Sequence, residues 1–305
     1  QDVPPGNRGI GVSAAYASAG AINYAVCPAG TFNTNGTSDC DDIPSGKRGE
    51  TSGGAYTATG AVAAVDCVNG KYSTDGTGDC VDVPNGQRGE DGSNAYASTG
   101  AVSAVACADG SYSAVGDGNC LDVPNGQRGE NGLGAYANSA AVIAVNCAGG
   151  TYSIDGTGNC VDVPAGQRGE TSGGAYASSG AVAAVDCTDG SYSTDGSVDC
   201  QDVPAGSFGA DSVDAYASTG AVKIVLCPPG KYSTTGTGAC IICTAGKYAS
   251  GTGNTAICQN VPAGKFPSLG SATNPVAMVS SQADSFQSCA AGRYTPSEGY
   301  PANPG

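Results

Sequence analysis

The residues with chemistry to offer are fifteen cysteines and twenty-seven acids, and there is no histidine. The cysteines come in regular pairs: Cys27 and Cys40, Cys67 and Cys80, Cys107 and Cys120, Cys147 and Cys160, Cys187 and Cys200, Cys227 and Cys240, then Cys243 and Cys258. Spaced pairs without histidine read as a disulfide framework, because cysteine-only zinc sites need clustered C-x-x-C pairs. The single C-x-x-C here runs from Cys240 to Cys243. Disulfides persist in oxidising compartments, which places the protein outside the cytosol, in the extracellular space or at the cell surface. Without histidine, Ser–His and Cys–His nucleophilic pairs are absent. Acids suited to general acid–base work recur in every copy of a repeat, whereas an active site is usually single, so no enzyme is expected.

Calcium is the one cofactor these acids could hold. Asp75, Asp79 and Asp82 lie close together around a glycine-rich turn, and hard oxygen ligands suit Ca²⁺. Their spacing departs from the EF-hand loop. The set also thins in other copies, where Thr235 stands for Asp75 and Asn119, Asn159 or Ala239 for Asp79. Solvated surface acids with no cofactor are the expectation. Arg48, Glu50 and Asp42 read as a surface ion-pair set worth little singly. Asn35-Gly36-Thr37 is the only N-x-S/T sequon, which makes Asn35 the candidate for a covalent glycan. Serines and threonines in turns, such as Ser193-Thr194 and Ser218-Thr219, are candidates for O-linked sugars. A net charge of −15 argues against a nucleic-acid partner, which needs a basic face. No apolar run approaches the ~20 residues of a membrane span.

The elements that must position these residues form a tandem array. Forty-residue copies begin at Gln1, Asp41, Val81, Leu121, Val161 and Gln201 without insertion or deletion, giving units 1–40, 41–80, 81–120, 121–160, 161–200 and 201–240. Residues 241–305 form divergent tail modules. A fixed period implies that successive copies contact one another in a constant way, since flexible linkers tolerate insertions cheaply. Each copy divides in two. The half that starts at Cys67-Val68-Asn69-Gly70-Lys71-Tyr72 reads as a short irregular hairpin closed by Cys67–Cys80, with Tyr72 covering the disulfide. The other half opens the same way with valine for cysteine, as in Val163-Pro164-Ala165-Gly166. It then carries a strand-like run from Ala181 to Cys187, whose alternation puts Ala181, Ala183, Val185 and Cys187 on one face.

With 50 glycines, no tryptophan and a hydrophobic fraction rich in Ala and Val, each copy can bury little. One disulfide in forty residues does not make an independent core, so neighbouring copies must supply the remaining burial. The recurring Tyr56, Tyr96, Val62 and Val102 are the candidates for those contacts. The expected fold is all-β and irregular: an elongated rod of tandem disulfide-stapled hairpins with little hydrophobic core. Pairing within each module uses every cysteine up to Cys258. Cys289 then opens a module whose partner is expected beyond Gly305. The start at Gln1, within a repeat, is expected of a mature form or a segment of a longer protein.

The stretch Cys227-Pro228-Pro229-Gly230-Lys231-Tyr232-Ser233 through Cys240, Cys243 and Gly246-Lys247-Tyr248 to Cys258 resembles ephrin-receptor-like and growth-factor-receptor-like cysteine-rich repeats, whose form is C-x-x-G-x-Y-S…G…C-x-x-C. It also looks like the first submodule of tumour-necrosis-factor-receptor repeats, in which the flanking cysteines pair. Across the repeats the junction becomes C-x-x-V, as at Cys80 to Val83, with Ile43 after Cys40. The resemblance implies an elongated extracellular protein poor in core, without catalytic activity. Two functions fit. One is a subunit of a fibre, surface coat or appendage filament that self-associates head to tail. The other is the stalk of an adhesin or receptor that binds a protein or glycan. The copy at 201–240, with Phe208 for Arg and Ala210 for Glu, departs most and suits a junction or capping role.

Overall fold

Strand-forming residues come only in short bursts between glycines, and the strands are correspondingly two to five residues long. The computed structural model describes residues 1–269, 276–278, 282–289, 291, 293–295 and 298. Among them the chain is all-β, with two-stranded antiparallel ladders and one three-stranded sheet in the tail. It forms two units, Gln1–Asn146 with Ile154–Asn159, and Cys147–Ser153 with Cys160–Gly305.

The copy at 81–120, in the first unit, shows the plan. In the unstapled half, Gln87–Glu90 pairs with Ser103–Ala106, Gln87 opposite Ala106 and Glu90 opposite Ser103. In the stapled half, Ser111–Tyr112 pairs with Leu121–Asp122. Both halves enter their first strand through the same turn. Gln87 N–H donates to Pro84 C=O and Ser111 N–H to Ala108 C=O, at 3.1 Å each. The third turn residue, Gly86 or Gly110, has φ +78°, a left-handed value open to glycine at no steric cost. The residue that opens each half is buried and donates to the turn glycine of the half before: Val83 to Gly70 C=O and Cys107 to Gly86 C=O. Valine and cysteine therefore fill one equivalent slot. The return strand Leu121–Asp122 lies outside the Cys107–Cys120 staple, so the disulfide closes the loop between the strands and not the ladder itself.

Two-stranded ladders are marginal alone, and here two devices support them. The first is the staples. Disulfides join Cys27–Cys40, Cys67–Cys80, Cys107–Cys120, Cys147–Cys160, Cys187–Cys200, Cys227–Cys240 and Cys243–Cys258. The second is a backbone junction between halves that recurs in both units. In the first unit, Gly46 N–H donates to Ser73 C=O at 2.7 Å, Ser73 N–H to Ala101 C=O at 3.0 Å, and Gly100 N–H to Cys67 C=O at 2.8 Å. In the second unit, Gly166, Ser193, Ala221, Gly220 and Cys187 repeat the same three bonds at 2.7, 3.0 and 2.8 Å. Tyr72 and Ala101, like Tyr192 and Ala221, add a parallel bridge at each junction.

The run expected as one strand from Ala181 to Cys187 is shorter, Ala183–Asp186. Ala181 instead bridges to Tyr152 of the preceding stapled half. Residues 181 and 183 thus serve different neighbours, the single alternating face is lost, and Val185 is exposed. Tyr232 packs against the cluster of Cys243, Ala249 and Cys258, which holds the staple of the next module. In the tail, Lys265–Leu269 lies between Val276–Met278 and Ser285–Ser288. Cys289 N–H donates to Gly264 C=O at 2.9 Å, the bond that also opens the stapled halves at Cys67, Cys107 and Cys227, and among the described residues its thiol has no disulfide partner. The rest of the module expected to start at Cys289 falls largely outside the described residues.

Candidate functional site

Polar residues that recur in most copies meet beside the staples. Arg48 lies on the first strand of an unstapled half, and Glu50 follows two residues along the same strand. Arg48 Nη2 lies 2.8 Å from Glu50 Oε1, and Nη1 lies 2.9 Å from Asp79 Oδ1, in the stapled loop that follows. Asp79 also accepts from Cys80 N–H at 2.8 Å. The guanidinium thus clasps one half to the next. The same clasp forms from Arg168 to Glu170 (2.8 Å) and Asp199 (3.0 Å). Arg88 and Arg128 bond Asn119 and Asn159 in the place of the aspartate. Arg8 bonds Asp39 alone, Ile10 standing for the glutamate. Asp42, expected in this set, is on the Asp41–Asp42 strand paired with Thr31–Phe32, and Asp79 takes its place at Arg48. In the second unit, Arg168, Glu170, Asp186, Asp199 and Asp202 line an open hollow of about 280 Å³ over the Cys187–Cys200 staple.

The Arg48 side chain holds the Asp79 carboxyl below the usual carboxylate range, and Arg8 does the same to Asp39. Asp79 and then Glu50 raise Arg48 in return. The sign of the pH dependence follows. A carboxylate with a lowered folded pKa contributes stability above its unfolded pKa and loses it as pH falls through the folded one. The melting temperature is therefore expected to hold from neutral pH down to about 4 and to fall only below the ordinary value of 3.8. Each clasp is solvent-screened, so its share is small, about 0–1 kcal/mol. A melting temperature that drops between pH 7 and 5 would contradict this assignment.

The three aspartates considered for calcium go to separate partners. Asp75 Oδ1 accepts from Thr77 N–H and Oγ1–H at 3.0 and 2.9 Å. Asp79 is in the clasp, and Asp82 pairs with Lys71. Among the described residues no three metal-ligating side chains gather. Asn35 is exposed at the tip of a stapled loop. Its Oδ1 accepts from Thr37 N–H at 3.1 Å and Thr37 Oγ1–H at 2.7 Å, and among the described residues its amide nitrogen has no hydrogen-bond acceptor. Of the serine and threonine candidates, Ser193 is buried and accepts from Gly196 N–H at 3.0 Å, so it is not open to a sugar; Thr194, Ser218 and Thr219 are exposed.

No protein-family model and no curated protein matches this chain. What the geometry establishes is a tandem of cysteine-rich hairpin units, stapled once per forty residues. No helix of the described residues is long and apolar enough to cross a membrane.

Two features escape a reading by residue type. One is the serine after the tyrosine of a stapled half, as at Tyr72-Ser73. Ser73, Ser113, Ser193 and Ser233 are buried, and each Oγ accepts from the glycine three residues on, at 3.0–3.2 Å. Their constancy beside variable Ser and Thr positions is the available signal. The other is the concerted change in the copy at 201–240. Phe208, Ala210 and Ala239 replace arginine, glutamate and aspartate together. Losing one member would strand a charge; losing all three leaves none unpaired. Phe208, Tyr216, Lys231 and Ala239 then line a more apolar hollow of about 230 Å³. Tyr96 bridges copies as expected, its hydroxyl 3.3 Å from Asn69 Oδ1 and 3.5 Å from Asp117 O.

Proposed function

We propose that this chain is a structural, non-catalytic extracellular protein that forms or belongs to a fibre, surface coat or appendage filament, with a glycan at Asn35. The observation that carries the reading is the recurring backbone junction through Ser73, Ser113 and Ser193. It uses main-chain bonds and one small side chain, so it can be extended copy after copy without new chemistry. Contacts that propagate head to tail without closing produce open assemblies. The repeated staples suit an oxidising exterior, and the resemblance of residues 227–258 to ephrin-receptor-like and growth-factor-receptor-like repeats supports such a role. Charge and polarity, at −15 overall, suit a protein exposed to solvent along its length.

Electron microscopy of the purified native material tests the proposal. Long uniform fibres are expected; isolated short rods attached to membrane would overturn it. The second reading, an adhesin or receptor stalk, draws on the apolar hollow at Phe208 and Tyr216, which breaks the polar pattern at one place in the array. For the glycan, the intact mass is expected to exceed that of the bare chain, with the excess removed by Asn35→Gln. A mass equal to the bare chain would end that part of the proposal.

A further inference from the structure

The loops that open the long return in each unstapled half vary most between copies: Thr51-Ser52-Gly53-Gly54, Asp91-Gly92-Ser93-Asn94, Asn131-Gly132-Leu133-Gly134 and Asp211-Ser212-Val213-Asp214. One of them combines a side-chain amide with the backbone nucleophile best able to attack it. We infer that Asn131 is a site of spontaneous modification, deamidating through a cyclic imide with Gly132.

The geometry supplies both halves of the reaction. Asn131 Oδ1 accepts from Leu133 N–H at 2.9 Å and from Ala135 N–H at 3.1 Å. Two backbone donors on a carbonyl oxygen polarise its carbon and stabilise the oxyanion that forms on attack. The attacking atom is the Gly132 backbone nitrogen. Gly132 is exposed, has no side chain in the way, and among the described residues its N–H has no acceptor. Hydroxide removes the N–H proton, nitrogen bonds to Asn131 Cγ, and the Cγ–NH₂ bond breaks as water returns a proton to the leaving nitrogen, releasing ammonia and regenerating hydroxide. Water then opens the five-membered imide at either carbonyl, giving aspartate or isoaspartate.

The other Asn-Gly pairs lack one half or the other. Asn35 Oδ1 has two donors, but the Gly36 N–H is buried and donates to Asn33 Oδ1 at 2.8 Å. Gly86 N–H, after Asn85, donates to Ser113 C=O at 2.7 Å. Asn125-Gly126 occupies the same turn one copy on, with the same left-handed glycine, φ +77°. At Asn69, among the described residues, the amide oxygen has one donor, the Tyr96 hydroxyl at 3.3 Å. The aspartate product also fits. Asp91 and Asp211 stand at this position in other copies and accept the same two backbone bonds, at 2.8–3.0 Å. The aspartate product thus adds a negative charge to a chain already at −15 and keeps the two backbone bonds.

The test is peptide mapping by mass spectrometry, with isoaspartate resolved, on the intact oxidised chain held at mildly alkaline pH. Asn131 is expected to convert at least about tenfold faster than Asn35, Asn69 or Asn85. The ranking should collapse when the chain is reduced and unfolded. Gly132→Ser, which takes the residue found at Ser52 and Ser212 and meets open space, should suppress conversion at Asn131 while leaving the melting temperature unchanged. Equal rates at all four sites in the folded chain, or a rate at Asn131 unaffected by Gly132→Ser, would overturn the inference.

Discussion

Gly76→Ala is expected to cost roughly 3 kcal/mol or more, while Gly78→Ala in the same loop is expected to be neutral or slightly stabilising. Gly76 has φ +72°, and a Cβ built on it would sit 2.1 Å from the carbonyl oxygen of Ile43, the residue that opens the preceding unstapled half. Backbone meets backbone there, so no side chain can swing aside. Either the junction between halves opens or the loop leaves its staple. Gly78 lies two residues away, outside the left-handed region and with open space around its Cβ position. Adding a methyl there only narrows the unfolded ensemble. Urea unfolding of the two variants side by side checks this. Equal midpoints would mean that the contact between Gly76 and Ile43 does not hold the halves together. The same approach recurs at Gly116 and Val83, 2.1 Å, and at Gly236 and Val203, 1.9 Å, so the effect should transfer from copy to copy.

Removing one staple should have a comparable effect for a different reason. The Cys107→Val, Cys120→Ala double variant is expected to lose about 2–4 kcal/mol, the contribution of a short disulfide loop. Valine is the informative choice. Val83 and Val123 occupy the equivalent slot in the unstapled halves at 4% and 3% exposure, so the substitution keeps the slot filled. What it removes is the covalent closure over a separation of 13 residues. Cys107 also lends its N–H to Gly86 C=O and its C=O to Ala140 N–H, so loosening it weakens the junctions on both sides. Thermal unfolding of the oxidised double variant against the parent checks this. An unchanged melting temperature would show that burial in the slot, and not the staple, supports the half.

The period, the all-β class and the stapled hairpin units are legible in the sequence, because they depend on local signals. Glycines at turn positions, tyrosines two residues after them and cysteines at fixed spacing each act within a few residues of themselves. The likeness of Val163-Pro164-Ala165-Gly166 to Cys227-Pro228-Pro229-Gly230 likewise points to two related halves. What holds those halves to each other is decided only by the tertiary structure. Ser73, unremarkable in a chain rich in serine, is buried and joins the halves on either side through its own N–H and C=O. Main-chain bonds are available to any residue type, so the sequence cannot mark which residue will make them. The partner of Arg48 is hidden for the same kind of reason: Asp79 is 31 residues away and Asp42 only six, yet the fold brings the distant one to 2.9 Å. Spacing along the chain governs turns and staples; contact across the repeat is set by how one half stacks on the next.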